Sequence, residues 1–186
     1  MSPTATRHSY IFFLLVLVGT TCIYWQGCGT DDGEGLAPGF IEGTVDGAVF
    51  RTDWRAAGQE RFHSAFVQDT AGSFIKIIRQ LSEDDLSRWE INITDIELDT
   101  LNVPVSIMFP DTFPNKPQPL ISYIPVGTGG IAETFISSEI EMILTGKGDD
   151  VMTGTFEGKL VSTRDFQTQV NVSMGRFEIP IQRFSE

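Results

Sequence analysis

In most segments between residues 40 and 181 apolar side chains recur at every second position, and no long segment repeats at the helical period of about 3.6 residues. Period two sends alternate side chains to opposite faces of a strand. In the segment 139–145, Ile140, Met142 and Leu144 fall on one face and Glu139 and Glu141 on the other. In 151–163, Met152, Gly154, Phe156, Gly158 and Leu160 share a face. Trp89, Ile91 and Ile93 alternate with Glu90, Asn92 and Thr94, whereas Phe74 to Ile78 is apolar on both faces, as in a central strand. Strands so patterned bury their apolar faces only against a second sheet or by closing on themselves. The expected fold is all-β, an antiparallel β-sandwich or barrel-like sheet of about ten strands.

The clearest local signal is a hairpin. Residues 40–45 and 48–52 flank Asp46-Gly47, a two-residue turn that needs positive φ at both central positions. Counting outward pairs Val45 with Ala48, Gly43 with Phe50 and Ile41 with Thr52 on one face, and Thr44 with Val49 and Glu42 with Arg51 on the other. Phe50 is expected to cover the bare backbone of Gly43. Residues 62–68 and 73–80 form a second expected hairpin across 69–72. Ile96 and Leu98 fall out of phase with Trp89, Ile91 and Ile93, which predicts a bulge near Asp95. Val170, Val172 and Met174 share a phase that slips before Phe177, so Gly175 is the expected bulge residue there. The strand through Leu101, Val103, Val105, Ile107 and Phe109 carries Pro104, which lacks an amide donor, and therefore belongs at a sheet edge. A stiff Pro-rich segment at 110–119 precedes expected strands at 120–126, 131–137 and 139–145, with a Gly-rich turn at 127–130. One helical turn is expected from Ser82 to Leu86, with Ser82 as N-cap and acids in its first turn.

Ahead of this domain, residues 1–10 carry Arg7 and His8 and no acid, and an unbroken apolar run follows from Ile11 to Val18. This is the n-region and h-region of a secretory signal, too short for a membrane span of about 20 residues. A plain cleaved signal, or an uncleaved anchor over 11–25, is the alternative. The segment Trp25-Gln26-Gly27-Cys28-Gly29-Thr30-Asp31-Asp32-Gly33-Glu34 resembles a bacterial lipoprotein junction. That resemblance implies that Cys28, preceded by the small Gly27, is thioether-linked to diacylglycerol and becomes the N-terminus of a lipoprotein carrying fatty acyl chains such as palmitate. Trp25 stands where the pattern prefers Leu or another aliphatic residue, and Cys22, after Thr21, is the alternative site. Several acyl chains, at about 0.8 kcal/mol per buried methylene, give durable anchoring. The implied location is the bacterial cell envelope, lipid-anchored at the outer membrane and facing the periplasm or the cell surface. Gly29, Gly33 and Gly35 interleave with Asp31, Asp32 and Glu34 to make a solvated, flexible tether. Acids directly after the cysteine also resemble the surface-export signal of Bacteroidota-type lipoproteins. The expected organisation is a signal peptide at 1–27, a tether at 28–38 and a single all-β domain at 39–186.

The formal charge is −12, and it deepens to −13 once Arg7 leaves with the leader. Nucleic acid and anionic lipid surfaces would repel such a domain, so no nucleic-acid partner is expected and membrane contact falls to the N-terminal lipid. Cys22 and Cys28 are the only cysteines, so nothing beyond Cys28 can form a disulfide, a thiolate metal site or a cysteine nucleophile. Three segments, Gly43 to Phe50, Gly154-Thr155-Phe156-Glu157-Gly158 and Gly175-Arg176-Phe177-Glu178-Ile179-Pro180-Ile181, resemble the small uncharacterised all-β lipoproteins common in Bacteroidota-type bacteria. Those proteins open with a "VnG..f" hairpin, continue with a "GTF" strand and end with a "GkFdvpi" strand. The family has no agreed activity and no known catalytic residues, so the resemblance implies fold and envelope location alone.

No catalytic constellation assembles from the sequence. His63 is the one histidine after the leader, which excludes a His-rich metal site or a two-histidine zinc helix. His63 and Ser64 are neighbours on a strand and point to opposite faces, so they make a poor base and hydroxyl pair. Gly127-Thr128-Gly129-Gly130 lacks the lysine and helix of a phosphate loop and reads as a turn. Glu83-Asp84-Asp85 and Asp149-Asp150 sit at expected turns without EF-hand spacing and read as solvated charge. No cofactor or metal is expected. Trp89 alternates with core residues and should pack inside. Trp54, expected to be exposed beyond a strand end, and Tyr123 are the candidate ligand-facing aromatics. The expected function is a non-catalytic binding or structural β-domain, its partner a protein or glycan, with recognition carried by the 110–119 and Trp54 to Gln59 loops. The alternatives are a lipocalin-like carrier of a small apolar ligand and a glycan hydrolase with two inward-facing carboxylates in one cleft.

Overall fold

The computed structural model describes residues 39–56, 58–69, 72–111, 116–125, 132–148 and 151–185. Cys22, Cys28, Asp149, Asp150, the turn at 127–130 and the middle of the Pro-rich segment lie outside them. The elements in chain order are β1 (Phe40–Val45), β2 (Ala48–Thr52), α1 (Glu60–His63), β3 (Ser64–Asp69), β4 (Gly72–Gln80), β5 (Arg88–Thr94), β6 (Val105–Phe109), β7 (Gln118–Ile124), β8 (Phe135–Lys147), β9 (Val151–Ser162), β10 (Gln169–Pro180) and β11 (Gln182–Ser185). The fold is all-β, as the period-two alternation requires.

The strands form one sheet in the order β11, β3, β4, β5, β7, β8, β9, β10, β1, β2, with β6 beside β8. It is mixed rather than purely antiparallel, because β11 returns alongside β3 in the same direction. The sheet curls into a half-barrel, and among the described residues one main-chain bridge links its flanks. Trp54, just past β2, makes an antiparallel bridge to Gln80 at the end of β4. Two long strands share an edge between partners. β7 lies along Phe135 and Ile136 of β8 while β6 lies along its later half, and β3 lies along β4 up to Ile77, leaving Gln80 to Trp54. Among the described residues β6 pairs with β8 alone and so lies at an edge, but it begins at Val105, so Pro104 and the expected strand residues Leu101 and Val103 precede it.

The first hairpin has the register counted from its turn, and Asp46 and Gly47 have φ of 46° and 89°. Glu42 and Arg51 face each other at 3.5 Å. The ring lying over Gly43 is that of Trp89 rather than Phe50, since a Cβ there would sit 3.2 Å from Trp89 Cζ2. Curling carries β5 across the interior to the hairpin, which local register alone does not convey. Tight curvature is permitted where backbone approaches backbone or ring. Gly158 has φ of 142°, and a side chain on it would strike the Glu139 carbonyl. Bare Gly154 and Gly175 admit the Phe177 and Phe156 rings. Register shifts in β8, and in β10 against both β9 and β1, add local bends.

Several expectations need correction. The phase slip after Ile93 is the end of β5, where Asp95 turns the chain at φ 55°, and not a bulge within a strand. Buried Ile96 and Leu98 then close one end of the core from a loop. That loop is held by the Lys147 ammonium, which donates to the Leu98 and Leu101 carbonyls at 2.5 and 3.2 Å, and by the Arg183–Asp99 pair at 2.6 Å. The two strands expected at 131–137 and 139–145 are replaced by one, β8, which begins at Phe135 and carries a register shift between Ser137 and Glu139. Residues 82–86 make no helical turn, although Ser82 Oγ does accept the Asp85 amide at 3.1 Å. The short helix is α1 instead, where residues 60–63 precede β3, so the strand expected at 62–68 begins at Ser64 and His63 lies on the helix and not on a strand. In β10 the bulged residue is Met174, at φ 50° and 74% exposed, so Gly175 and not Met174 faces inward. The core holds Ile41, Ile75, Ile91, Met142, Leu144 and Phe156 among others, each worth about 1.5–3 kcal/mol when fully buried.

Candidate functional site

The interior is occupied by side chains. Phe50, Trp89, Tyr123, Phe135 and Phe156 form a continuous set of ring contacts, with centroids 4.8–6.1 Å apart. Tyr123 is half-buried within this set, and burial, with the Asp46 charge adding to it, pushes its phenol above the ordinary value. Trp54 is half-buried and not exposed as expected, because its main chain is drawn onto the sheet by Gln80. The two candidate aromatics are therefore tied into the closure and lining of the half-barrel.

Beside Trp54, Arg79 is fully buried at the end of β4, in phase with Ile75 and Ile77. Its guanidinium donates to the His63 carbonyl at 2.7 Å and to Ser64 Oγ at 2.7 Å. Burial, with Arg55 nearby, lowers its pKa to about 9, so it stays cationic at neutral pH. Burial, followed by the charges of Arg79, Lys76 and Arg55, holds the His63 imidazole below its ordinary value. His63 and Ser64 thus serve one arginine and not each other.

A different surface is poised for recognition. On the solvent side of β6, β8, β9 and β10, register places Met108 opposite Glu141 and Glu141 opposite Glu157. The Met174 bulge then faces Glu157 between the Gly158–Val172 and Phe156–Gly175 pairs. Met108 is 53% and Met174 is 74% exposed. Two open grooves of about 330 and 320 Å³ run along this face, and Glu141 and Glu157 border both. The neighbouring charges are neutralised within the sheet, Lys159 by Glu139 at 2.9 Å and Arg176 by Glu42 at 2.9 Å. Glu141 accepts a hydrogen bond from Ser106 Oγ at 3.1 Å, but among the described residues neither Glu141 nor Glu157 has a cation. Like charges directly opposite across a ladder are destabilising.

The outward direction of Glu141 was legible from alternation, while Glu157, Met108 and Met174 were missed. The available signal was Glu157 standing out of phase with Phe156 and Gly158; its pairing depends on register between strands. Among the described residues no three His, Cys, Asp or Glu side chains gather to hold a metal. Compared with family models, curated proteins and solved structures, the chain matches none.

Proposed function

We propose that the chain is a lipid-anchored cell-envelope protein, held by an acylated Cys28, whose β-domain is a non-catalytic binding module that recognises its partner on its outer surface. The observation that carries this reading is the contrast between an interior filled by five aromatic rings and an outer sheet face with two grooves and an uncompensated pair of glutamates. A carrier of apolar ligands needs interior space, which these rings occupy. A glycan hydrolase needs two carboxylates converging in a cleft, whereas Glu141 and Glu157 project from an open face. Support for the anchor comes from the apolar run at Ile11 to Val18, the Gly27-Cys28 pair and the acidic Gly-rich segment after it.

Metabolic labelling with a palmitate analogue tests the anchor in wild type, Cys28→Ser and Cys22→Ser. Label is expected in wild type and Cys22→Ser and lost in Cys28→Ser. Label that persists in Cys28→Ser would refute the site.

A further inference from the structure

We infer that the outer face of β6, β8, β9 and β10 docks a protein segment that presents a lysine or arginine between apolar neighbours. The inference deepens the proposed function, and rests on its reading of the domain as a surface-binding module. Charge complementarity selects the occupant. Every other charged side chain along the three central rows of this face is paired within the sheet, Glu139 with Lys159 and Arg176 with Glu42. The two carboxylates left over face each other at the middle, where Glu141 and Glu157 are register partners on adjacent strands. A cation seated between them would relieve a repulsion that the free protein sustains.

The flanks select what surrounds that cation. Met108 and Met174 stand at the two ends of the same row, both largely exposed. Thioether side chains are flexible and polarisable and adapt to apolar groups of varied shape. Met174 reaches its position through a left-handed backbone at φ 50°, which L-residues other than Asn and Asp seldom adopt, so that the bulge turns it out rather than into the core. Half-exposed Ile143 extends the apolar margin on the second groove.

The test is a fluorescence-anisotropy titration of the full-length chain, held in neutral detergent micelles with empty micelles as blank. The probe is a labelled peptide Ala-Leu-Lys-Leu-Ala, and its counterpart has glutamate in place of lysine. The lysine peptide should bind in a salt-sensitive manner and the glutamate peptide should not. Glu141→Gln with Glu157→Gln should weaken binding at least about tenfold while raising the thermal midpoint, a combination that misfolding cannot produce. Met174→Ser should weaken it several-fold. Glu83→Gln with Asp84→Asn, an equal charge change on a distant loop, should alter it less than about twofold.

Equal weakening by the loop variant would reduce the effect to net charge and overturn the inference, as would unchanged binding by the Glu141 and Glu157 variant. Calcium alone raising the thermal midpoint of wild type but not of that variant would assign the pair to a metal and also overturn it. The anchor stands or falls separately, because Cys28→Ser leaves this face intact.

Discussion

The indole Nε1 of Trp89 donates to the main-chain carbonyl oxygen of Phe50 at 3.1 Å and so joins β5 to the outer edge of β2. Close by, Trp54 and Gln80 exchange main-chain hydrogen bonds of 3.1 and 3.0 Å. Together these bonds tie β2 and the residue just past it to β5 and β4 across the half-barrel, and Trp89 at once packs in the interior and satisfies an edge strand. Trp89→Phe keeps the aromatic packing and removes the donor, leaving the Phe50 carbonyl unpaired in a half-buried setting. Destabilisation of about 1–3 kcal/mol is expected, read from urea unfolding as a lower midpoint at unchanged slope.

Two glycines separate backbone strain from crowding. Gly47 has φ of 89° with nothing within 4 Å of the place a methyl group would take, so Gly47→Ala should cost about 1–2 kcal/mol, the strain of a left-handed L-residue. Gly158→Ala meets the Glu139 carbonyl as well as strain at φ 142°, and a loss of about 4 kcal/mol or more is expected. Thermal unfolding of both variants beside wild type checks the contrast.

Removing one of two opposed like charges should stabilise the sheet. Glu157→Gln is expected to gain about 0.2–1 kcal/mol at neutral pH, with the gain shrinking as salt is added. A substitution that stabilises the fold at a surface position marks a side chain kept for another purpose.

Acid should weaken the end of the domain around α1. In the fold, burial and then Arg79, Lys76 and Arg55 disfavour protonation of His63, whose ordinary pKa is 6.5, against a smaller opposing pull from Glu90. The unfolded chain therefore binds the additional proton first as pH falls. Stability present above 6.5 is lost progressively below it, and His63→Gln should show a flatter decline in denaturation midpoint between about pH 7.5 and 5.

The parts of the fold legible in the sequence are those set by local rules. Asp46-Gly47 determines the φ values of a tight turn, and every pair from Val45 and Ala48 to Ile41 and Thr52 follows by counting. Alternation likewise identified the inward faces of β8 and β9, with Met142, Leu144, Phe156 and Leu160 buried. What counting along one strand cannot supply is the partner across the ladder. The parallel return of β11 to β3, the bridge from Trp54 to Gln80 and the placing of Trp89 over Gly43 all depend on how far the sheet curls. The recognition face is divided in the same way. Alternation turns Glu141 outward, but its meeting with Glu157 depends on the register shift between Ser137 and Glu139. Met174 is exposed because the irregularity in β10 falls one residue earlier than the glycine suggests.

Four methionines distinguish outside from inside. Met108 and Met174 lie on the outer face, while Met142 and Met152 are buried in the core. With methionine methyl groups isotopically labelled, the full-length chain can be followed by NMR during titration with the lysine peptide and, separately, with a long-chain fatty acid. A module that binds on its surface should show saturable shifts of the Met108 and Met174 signals with the peptide, and unmoved Met142 and Met152 signals with either addition. Saturable shifts of Met142 and Met152 with the fatty acid, while Met108 and Met174 stay fixed, would contradict it and make the interior the binding site.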